Sequence, residues 1–231
     1  MKSSCLKLGI VLFNDFDQLD VTGPFEVFYE FPKTKVYFIA HSLEPVSSVQ
    51  GIKLTPEFTF NSAPKLDILF VPGGYGVMNA LETNSSLINF IKKQSAHLKY
   101  LSSFCTGSLI LGYAGELKGY KATSHWLAKK YLPKFGAIPV NERVVVDRNR
   151  VTGSGVSAGF DVALHLGEIL FGKAFVETQI LLSEYHPKPL YDEVLYETVS
   201  QEARDMLDKK MNPIITNRDL FFEKYLEDLD K

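Results

Sequence analysis

The chain lacks several features that commonly betray a protein's class. It has only two cysteines, Cys5 and Cys105, so at most one bridge can form and no disulfide framework is available. It has no apolar run of membrane-spanning length. The longest near the start, Leu6-Lys7-Leu8-Gly9-Ile10-Val11-Leu12-Phe13, is too short and has no small-residue cleavage site after it. Charge of one sign is missing too: 25 basic and 27 acidic side chains leave a formal net charge of −2. That balance argues against a nucleic-acid surface, which needs a basic stripe. The pairs Lys92–Lys93, Lys129–Lys130 and Lys209–Lys210 are scattered and read as solvated helix faces. Internal repeats, low-complexity tracts and Gly/Ser linkers are absent. No His, Cys, Asp or Glu group has metal-ligand spacing, and two cysteines cannot build a Cys-rich zinc centre. The expectation is a soluble, cytoplasmic protein with no metal, no cofactor, no nucleic-acid partner and no membrane. Its 231 residues suit one large domain, or a domain with a helical tail.

What is present alternates. Short β-branched or aromatic runs at Leu6–Phe13, Lys35–His41, Asp67–Val71 and Lys99–Phe104 read as strands. Asp67-Ile68-Leu69-Phe70-Val71 is apolar on both faces after its first residue, as a strand covered on both sides should be. Helical patterns fall at Pro24–Glu30, Ser86–Ser95 and Gly107 to about Ala114, with Pro24 suited to a first helical position. The β-α-β-α order predicts an α/β fold with a mainly parallel sheet, helices on both faces and a ligand site at the carboxyl ends of the strands. Further on, Val140–Asp147 and Val151–Thr152 flank a polar turn and read as a hairpin. Helices follow at Ser157–Phe171, with Gly172 as its C-cap, and at Ala174–Tyr185, ended by Pro187 and Pro189. Residues 1–190 therefore read as one domain and 191–231 as a helical extension, charged, amphipathic and interrupted by Pro213, that packs on the domain or on a partner subunit.

Three stretches could carry chemistry. In Tyr100-Leu101-Ser102-Ser103-Phe104-Cys105-Thr106-Gly107-Ser108-Leu109, a buried strand runs into a cysteine and a helix follows at once. This is the layout of a nucleophile elbow, with Ser103 and Gly107 small enough for the backbones to approach. A helix N-terminus there would favour the thiolate of Cys105. Cys5 lacks that context and reads as structural. Second, Val71-Pro72-Gly73-Gly74 places glycines after a strand, where backbone N–H groups could face a ligand as an oxyanion hole does, or simply make a tight turn. Third, Asp20 in Leu19-Asp20-Val21-Thr22-Gly23-Pro24 lies after the first strand, at the sheet end where Cys105 should emerge; as a plain capping or loop residue it would carry no chemistry. Among the five histidines, His125 is best placed to approach the thiol, although a hydrogen-bonded structural role suits it too.

Together these motifs resemble the ThiJ/PfpI superfamily, the single-domain relatives of class I glutamine amidotransferases, and more narrowly its isonitrile (isocyanide) hydratase-like branch. The resemblance covers roughly residues 6–190. Besides the segments around Asp20, Gly73 and Cys105 it rests on Ala122-Thr123-Ser124-His125-Trp126, Gly136-Ala137-Ile138-Pro139-Val140 and Val151-Thr152-Gly153-Ser154-Gly155-Val156-Ser157-Ala158-Gly159. It implies a flavodoxin-like three-layer sandwich, a homodimer, and a small-molecule substrate. It implies Cys105 as nucleophile, Asp20 as acid/base, Thr106 as a polar neighbour, and Gly73 and Gly74 lining the pocket through their backbone. The implied reaction is hydration of an isocyanide to an N-substituted formamide through a thioimidate. Protease and amidase members have a histidine directly after the cysteine, where this chain has Thr106. An amidase, peptidase or glyoxalase-type activity is thereby weakened, and a ligand or redox sensor using Cys105 is the alternative from another class. The tail is too short and too little basic for the DNA-binding module of regulator members.

Overall fold

The computed structural model describes residues 5–191 and 194–229, the last four by their backbone. In chain order the elements are β1 (Leu6–Val11), α1 (Gln18–Tyr29), β2 (Thr34–Ala40), β3 (Val46–Ser47), β4 (Lys53–Leu54), β5 (Phe58–Thr59), β6 (Ile68–Val71), α2 (Val77–Thr83), α3 (Ser85–Ser95), β7 (Tyr100–Phe104) and α4 (Gly107–Tyr113). Then come β8 (Lys121–Ala122), a 3₁₀ segment (Lys129–Phe135), β9 (Ile138–Pro139), β10 (Val144–Asp147), β11 (Arg150–Gly153), α5 (Gly159–Phe171), α6 (Lys173–Leu182) and α7 (Gln201–Leu229). Contacts divide the chain into two compact units, Met1–Val176 and Glu177–Lys231.

The first unit holds a seven-stranded sheet of order β10-β11-β7-β6-β1-β2-β5. All pairings are parallel except β10 with β11. Its centre is dry because β6 and β11 are buried at every position, as strands covered on both faces must be. Helix α1 packs with α5, while α2 and α3 both pack with α4, giving the two helical layers of a flavodoxin-like α/β sandwich. On the α1 side, aromatic rings step through the core: Phe104 to Phe70 at 5.5 Å, Phe70 to Phe28 and Phe28 to Phe31 at 5.3 Å. Edge-on contacts such as the last two, and the tilted Phe104–Phe70 contact, add to area burial and fix ring positions. They tie the ends of β6 and β7 to the helix that follows β1. The expected hairpin forms with a two-residue turn, Arg148-Asn149, in which Arg148 has a φ of 54°.

Two expectations about proline are corrected. Helix α1 begins six residues before Pro24, because Asp17 caps it by accepting the Leu19 N–H at 3.1 Å. Pro24 sits inside the helix, and the bare Cα of Gly159 in α5 makes room for its ring. Likewise α7 is continuous through Pro213, which removes one helical hydrogen bond from a 29-residue element without ending it. Cys5, expected to be structural, is exposed and unbridged. No helix among the described residues is long and apolar enough to cross a membrane.

Strand β11 is anchored at its start by a buried ion pair. The Arg150 guanidinium lies 2.8 Å from the Glu116 carboxylate and donates to the Glu116 carbonyl at 2.9 Å, with Tyr120 stacked 4.7 Å away. Removing one partner of such a pair strands the other in a poor solvent. Arg150→Met is therefore expected to lower stability by about 3 kcal/mol, read as a fall in the urea midpoint; an unchanged midpoint would show the pair to be dispensable.

Candidate active site

Cys105 stands between β7 and α4 with a φ of 53°, in the left-handed region that side chains with a Cβ rarely occupy. The elbow read from the sequence is thus present, and hydrogen bonds hold it on both sides. Its N–H points to the Ser154 carbonyl at 2.7 Å and the Gly153 carbonyl at 3.2 Å, at the end of β11. Its carbonyl accepts from the Ser124 hydroxyl at 2.9 Å and the His125 N–H at 3.3 Å. Ser108 lies 2.7 Å from Ser124 and completes the clasp. The strain at Cys105 is carried by these partners, drawn from two distant segments. Gly107 lets the turn approach: a Cβ there would fall 2.2 Å from the Val71 carbonyl.

Asp20 lies in the first turn of α1 and is fully buried. It is not the capping residue; Asp17 is. Its Oδ2 accepts the Gly73 N–H at 2.7 Å, and its Oδ1 has no hydrogen-bond partner within normal geometry. The Cys105 thiol is its electrostatic neighbour, each group acting on the other's protonation. Thr106 joins the same knot: its Oγ1 accepts the Gly74 N–H at 3.0 Å and donates to the Gly74 carbonyl at 3.2 Å. Gly74 has a φ of 146°, and a Cβ on it would lie 2.4 Å from the Asp15 carbonyl. The amides of Gly73 and Gly74, read as possible oxyanion donors, are engaged with Asp20 and Thr106 instead. They position the side chains of the site. All five residues singled out from the sequence therefore meet at the ends of β1, β6 and β7, where the strand order reverses direction.

The electrostatics reverse one expectation. Helix α4 is short and begins two residues after Cys105, so its dipole does little for the thiol. Burial, then the nearby Asp20 and Asp17 carboxylates, push the Cys105 thiol well above its ordinary range. Burial also pushes the Asp20 carboxyl well up, against the pull of the Gly73 N–H. The thiol and carboxyl therefore hold protons tightly and titrate as a pair. His125, the histidine expected nearest the thiol, contributes its main chain to the clasp, and its Nδ1 accepts the Leu127 N–H at 3.3 Å. A cavity of about 380 Å³ opens at the ends of β1 and β2, lined by Asn14, His41, Glu44 and Asn79 among others, but neither Cys105 nor Asp20 lines it.

With this geometry in view, comparison with known proteins decides the family. The family model described as DJ-1/PfpI matches residues 7–169. The chain belongs to the DJ-1/PfpI family. This DJ-1/PfpI chain is 41% identical over 213 residues to isonitrile hydratase of Pseudomonas putida, covering 92% of this chain and 93% of that one. Its fold superposes on a ThiJ/PfpI family protein from Pseudomonas syringae with a TM-score of 0.87 at 37% identity, covering 94% and 90% of the two chains. It is also 33% identical over 118 residues to the HTH-type transcriptional regulator GbdR of Pseudomonas aeruginosa, but spans only 32% of that protein's length.

Sequence reasoning missed Ser124, Ser154 and Asp17. Ser124 and Ser154 lay within quoted motifs without a role, and Asp17 carried the visible signal of an acidic residue just before a helix. A pH prediction follows from Asp20. A group whose pKa is raised by folding gives stability that is complete below the unfolded value, about 3.9, and lost as pH rises through the folded value. Near pH 7 the native state bears that loss, and Asp20→Asn does not. The variant is expected to be more stable than wild type at pH 7 by roughly 1–3 kcal/mol, with the gain vanishing below about pH 4. Urea unfolding at both pH values checks this; a variant less stable at pH 7 would contradict the assignment.

Proposed function

We propose that the chain hydrates isocyanides to N-substituted formamides, with Cys105 as nucleophile and Asp20 as proton carrier. The observation that carries this reading is the buried thiol–carboxyl pair, held by Gly73 at a strained elbow, on which no cation among the described residues acts. An isocyanide carbon has a lone pair yet accepts nucleophiles, so sulfur and hydrogen must both end on that one carbon. A neutral pair suits this addition. As the Cys105 sulfur bonds to the carbon, its proton passes to Asp20 and from Asp20 to the same carbon, giving a thioimidate with no leaving group to protonate. Water then adds to the thioimidate carbon, losing a proton to Asp20, while the nitrogen takes up a proton. Collapse of the tetrahedral adduct breaks the carbon–sulfur bond, returns a proton to sulfur and releases the formamide. The net change is one isocyanide and one water to one formamide. Thr106 keeps the Gly73–Gly74 loop, and with it Asp20, in register; the two glycines line the approach with backbone.

Other chemistries fit less well. Amide hydrolysis must protonate a departing amine, and the residue after Cys105 is Thr106 rather than a histidine. Oxidative sensing favours an accessible thiolate, whereas Cys105 is buried and holds its proton.

The test is formamide production from a simple alkyl isocyanide. Wild type is expected to turn over many times per site. Cys105→Ala should be inactive, Asp20→Asn folded but reduced at least 100-fold, and Thr106→Val reduced about tenfold. A wild type without turnover, or an Asp20→Asn variant near wild-type rate, would overturn the assignment.

A further inference from the structure

The segment that carries Asp20 is clasped from outside by the β3–β4 hairpin. Along the loop between β1 and α1, the Asp15 N–H donates to the Ser47 carbonyl at 2.8 Å and the Val49 N–H to the Phe16 carbonyl at 2.9 Å. The hairpin turn then reaches over the helix start with one side chain. Gln50 Nε2 donates to Asp17 Oδ2 at 3.0 Å, and Gln50 Oε1 accepts the Gln18 N–H at 3.1 Å. The other carboxylate oxygen of Asp17 caps α1 through the Leu19 N–H. The Asp17 N–H donates to the Gly73 carbonyl at 2.9 Å, and the Gly73 N–H holds Asp20. A chain of hydrogen bonds thus runs from an exposed amide to the buried carboxyl.

Chemically, this arrangement sets a carboxylate beside a site on which, among the described residues, no cation acts. Among the described residues, the charged groups acting on Asp20 and Cys105 are each other and Asp17, while the titratable His125 meets Cys105 through its main-chain N–H. The β6–α2 loop contributes only the amides of Gly73 and Gly74, the β11–α5 segment only the carbonyls of Gly153 and Ser154, and the hairpin only the neutral Gln50. An amide that donates to one carboxylate oxygen while a helix N-terminus holds the other fixes the Asp17 side chain in place.

We propose that Asp17 and Gln50 form a positioning pair for the reaction: the hairpin amide fixes the carboxylate of Asp17, whose main-chain N–H holds the Gly73 loop that carries Asp20, and so sets the place and charge around Asp20 and Cys105. This role rests on the reading of Asp20 and Cys105 as the reacting groups. It assigns the β3–β4 hairpin a part in the chemistry and makes the residue at position 50 a means of tuning it. Because the Gln50 contacts are exposed, they add little to stability, and their effect is to be sought in thiol reactivity.

The test reads the rate of Cys105 alkylation by iodoacetamide against pH in the full chain with Cys5→Ser, which needs no turnover. Asn caps a helix as well as Asp does, so Asp17→Asn removes the charge and keeps the cap. It is expected to move the alkylation midpoint down by about half to one pH unit, so that reaction at pH 8 is roughly threefold to tenfold faster. Gln50→Glu sets a second carboxylate against the first and should slow the reaction by a similar factor. In the double variant the new carboxylate at position 50 can accept from the new amide at position 17. The clasp is then restored with the charge moved outward onto the hairpin, and the rate should fall between wild type and Asp17→Asn. Unchanged profiles in both single variants, while Asp20→Asn shifts its own, would overturn the positioning role and leave the proposed reaction standing. Faster alkylation in Gln50→Glu would also overturn it. Loss of isocyanide turnover in wild type, by contrast, would strike the reaction and not these shifts.

Discussion

The carboxyl of Asp20, buried beside a thiol with a single amide donor, is the constraint around which this molecule is arranged. An ionised carboxylate in a dry site costs several kcal/mol unless it is matched, and among the described residues no cation matches it. One charge-assisted bond from Gly73 returns part of that cost, on the order of 1.5–3 kcal/mol. The remainder appears as proton affinity, shared with Cys105. The site therefore needs both groups buried and both accurately placed, and the sheet topology supplies this. The ends of β1, β6 and β7 are adjacent in the strand order, so α1, the glycine loop and the elbow converge without any long excursion.

Placement on the cysteine side depends on a second constraint, the strained backbone of Cys105. A left-handed cysteine is retained only where its neighbours over-determine it. The carbonyls at the end of β11 take its N–H, and Ser124 with Ser108 takes its carbonyl. Strand β11 is pinned in turn by Arg150 and Glu116, while the Phe104–Phe70–Phe28 contacts fix β6 and β7 against α1. The buried ion pair and the aromatic core thus serve the site at a distance, by denying the strand ends freedom to relax the elbow.

Much of this was legible in the chain itself, for physical reasons that differ by residue. The strands declared themselves because a sheet buried on both faces demands continuous apolar runs, as in Ile68–Val71. The elbow did so because a cysteine between strand and helix with glycine two residues on leaves the backbone few alternatives. The protonation state was not legible. A helix N-terminus predicted a thiolate, but α4 is short, and burial with two carboxylates outweighs its dipole. The start of α1 was misjudged because Pro24 looked like a first-turn proline, when the earlier cap at Asp17 and the bare Gly159 opposite let it sit inside the helix. The clasp on Cys105 was hidden for another reason. Ser124 and Ser154 are 19 and 49 residues from the cysteine, and only the folded sheet edge brings them to it.

The state of the thiol also bears on the class of reaction the site suits. Enzymes that must expel an amine gain from a thiolate–imidazolium pair, in which charge is separated before substrate binds. A site that adds sulfur and hydrogen to one carbon gains from the opposite arrangement, since both atoms reach the carbon from neighbouring positions and little net charge develops in the dry interior. On the proposed reading, the burial that makes Cys105 a poor thiolate, and so a poor redox sensor, is the feature that makes the pair a good donor of both. The neutral Thr106 after the cysteine fits that logic. It spends its hydroxyl on holding the glycine loop that carries Asp20, where a histidine would bring a third titrating group beside a pair that works in its neutral form.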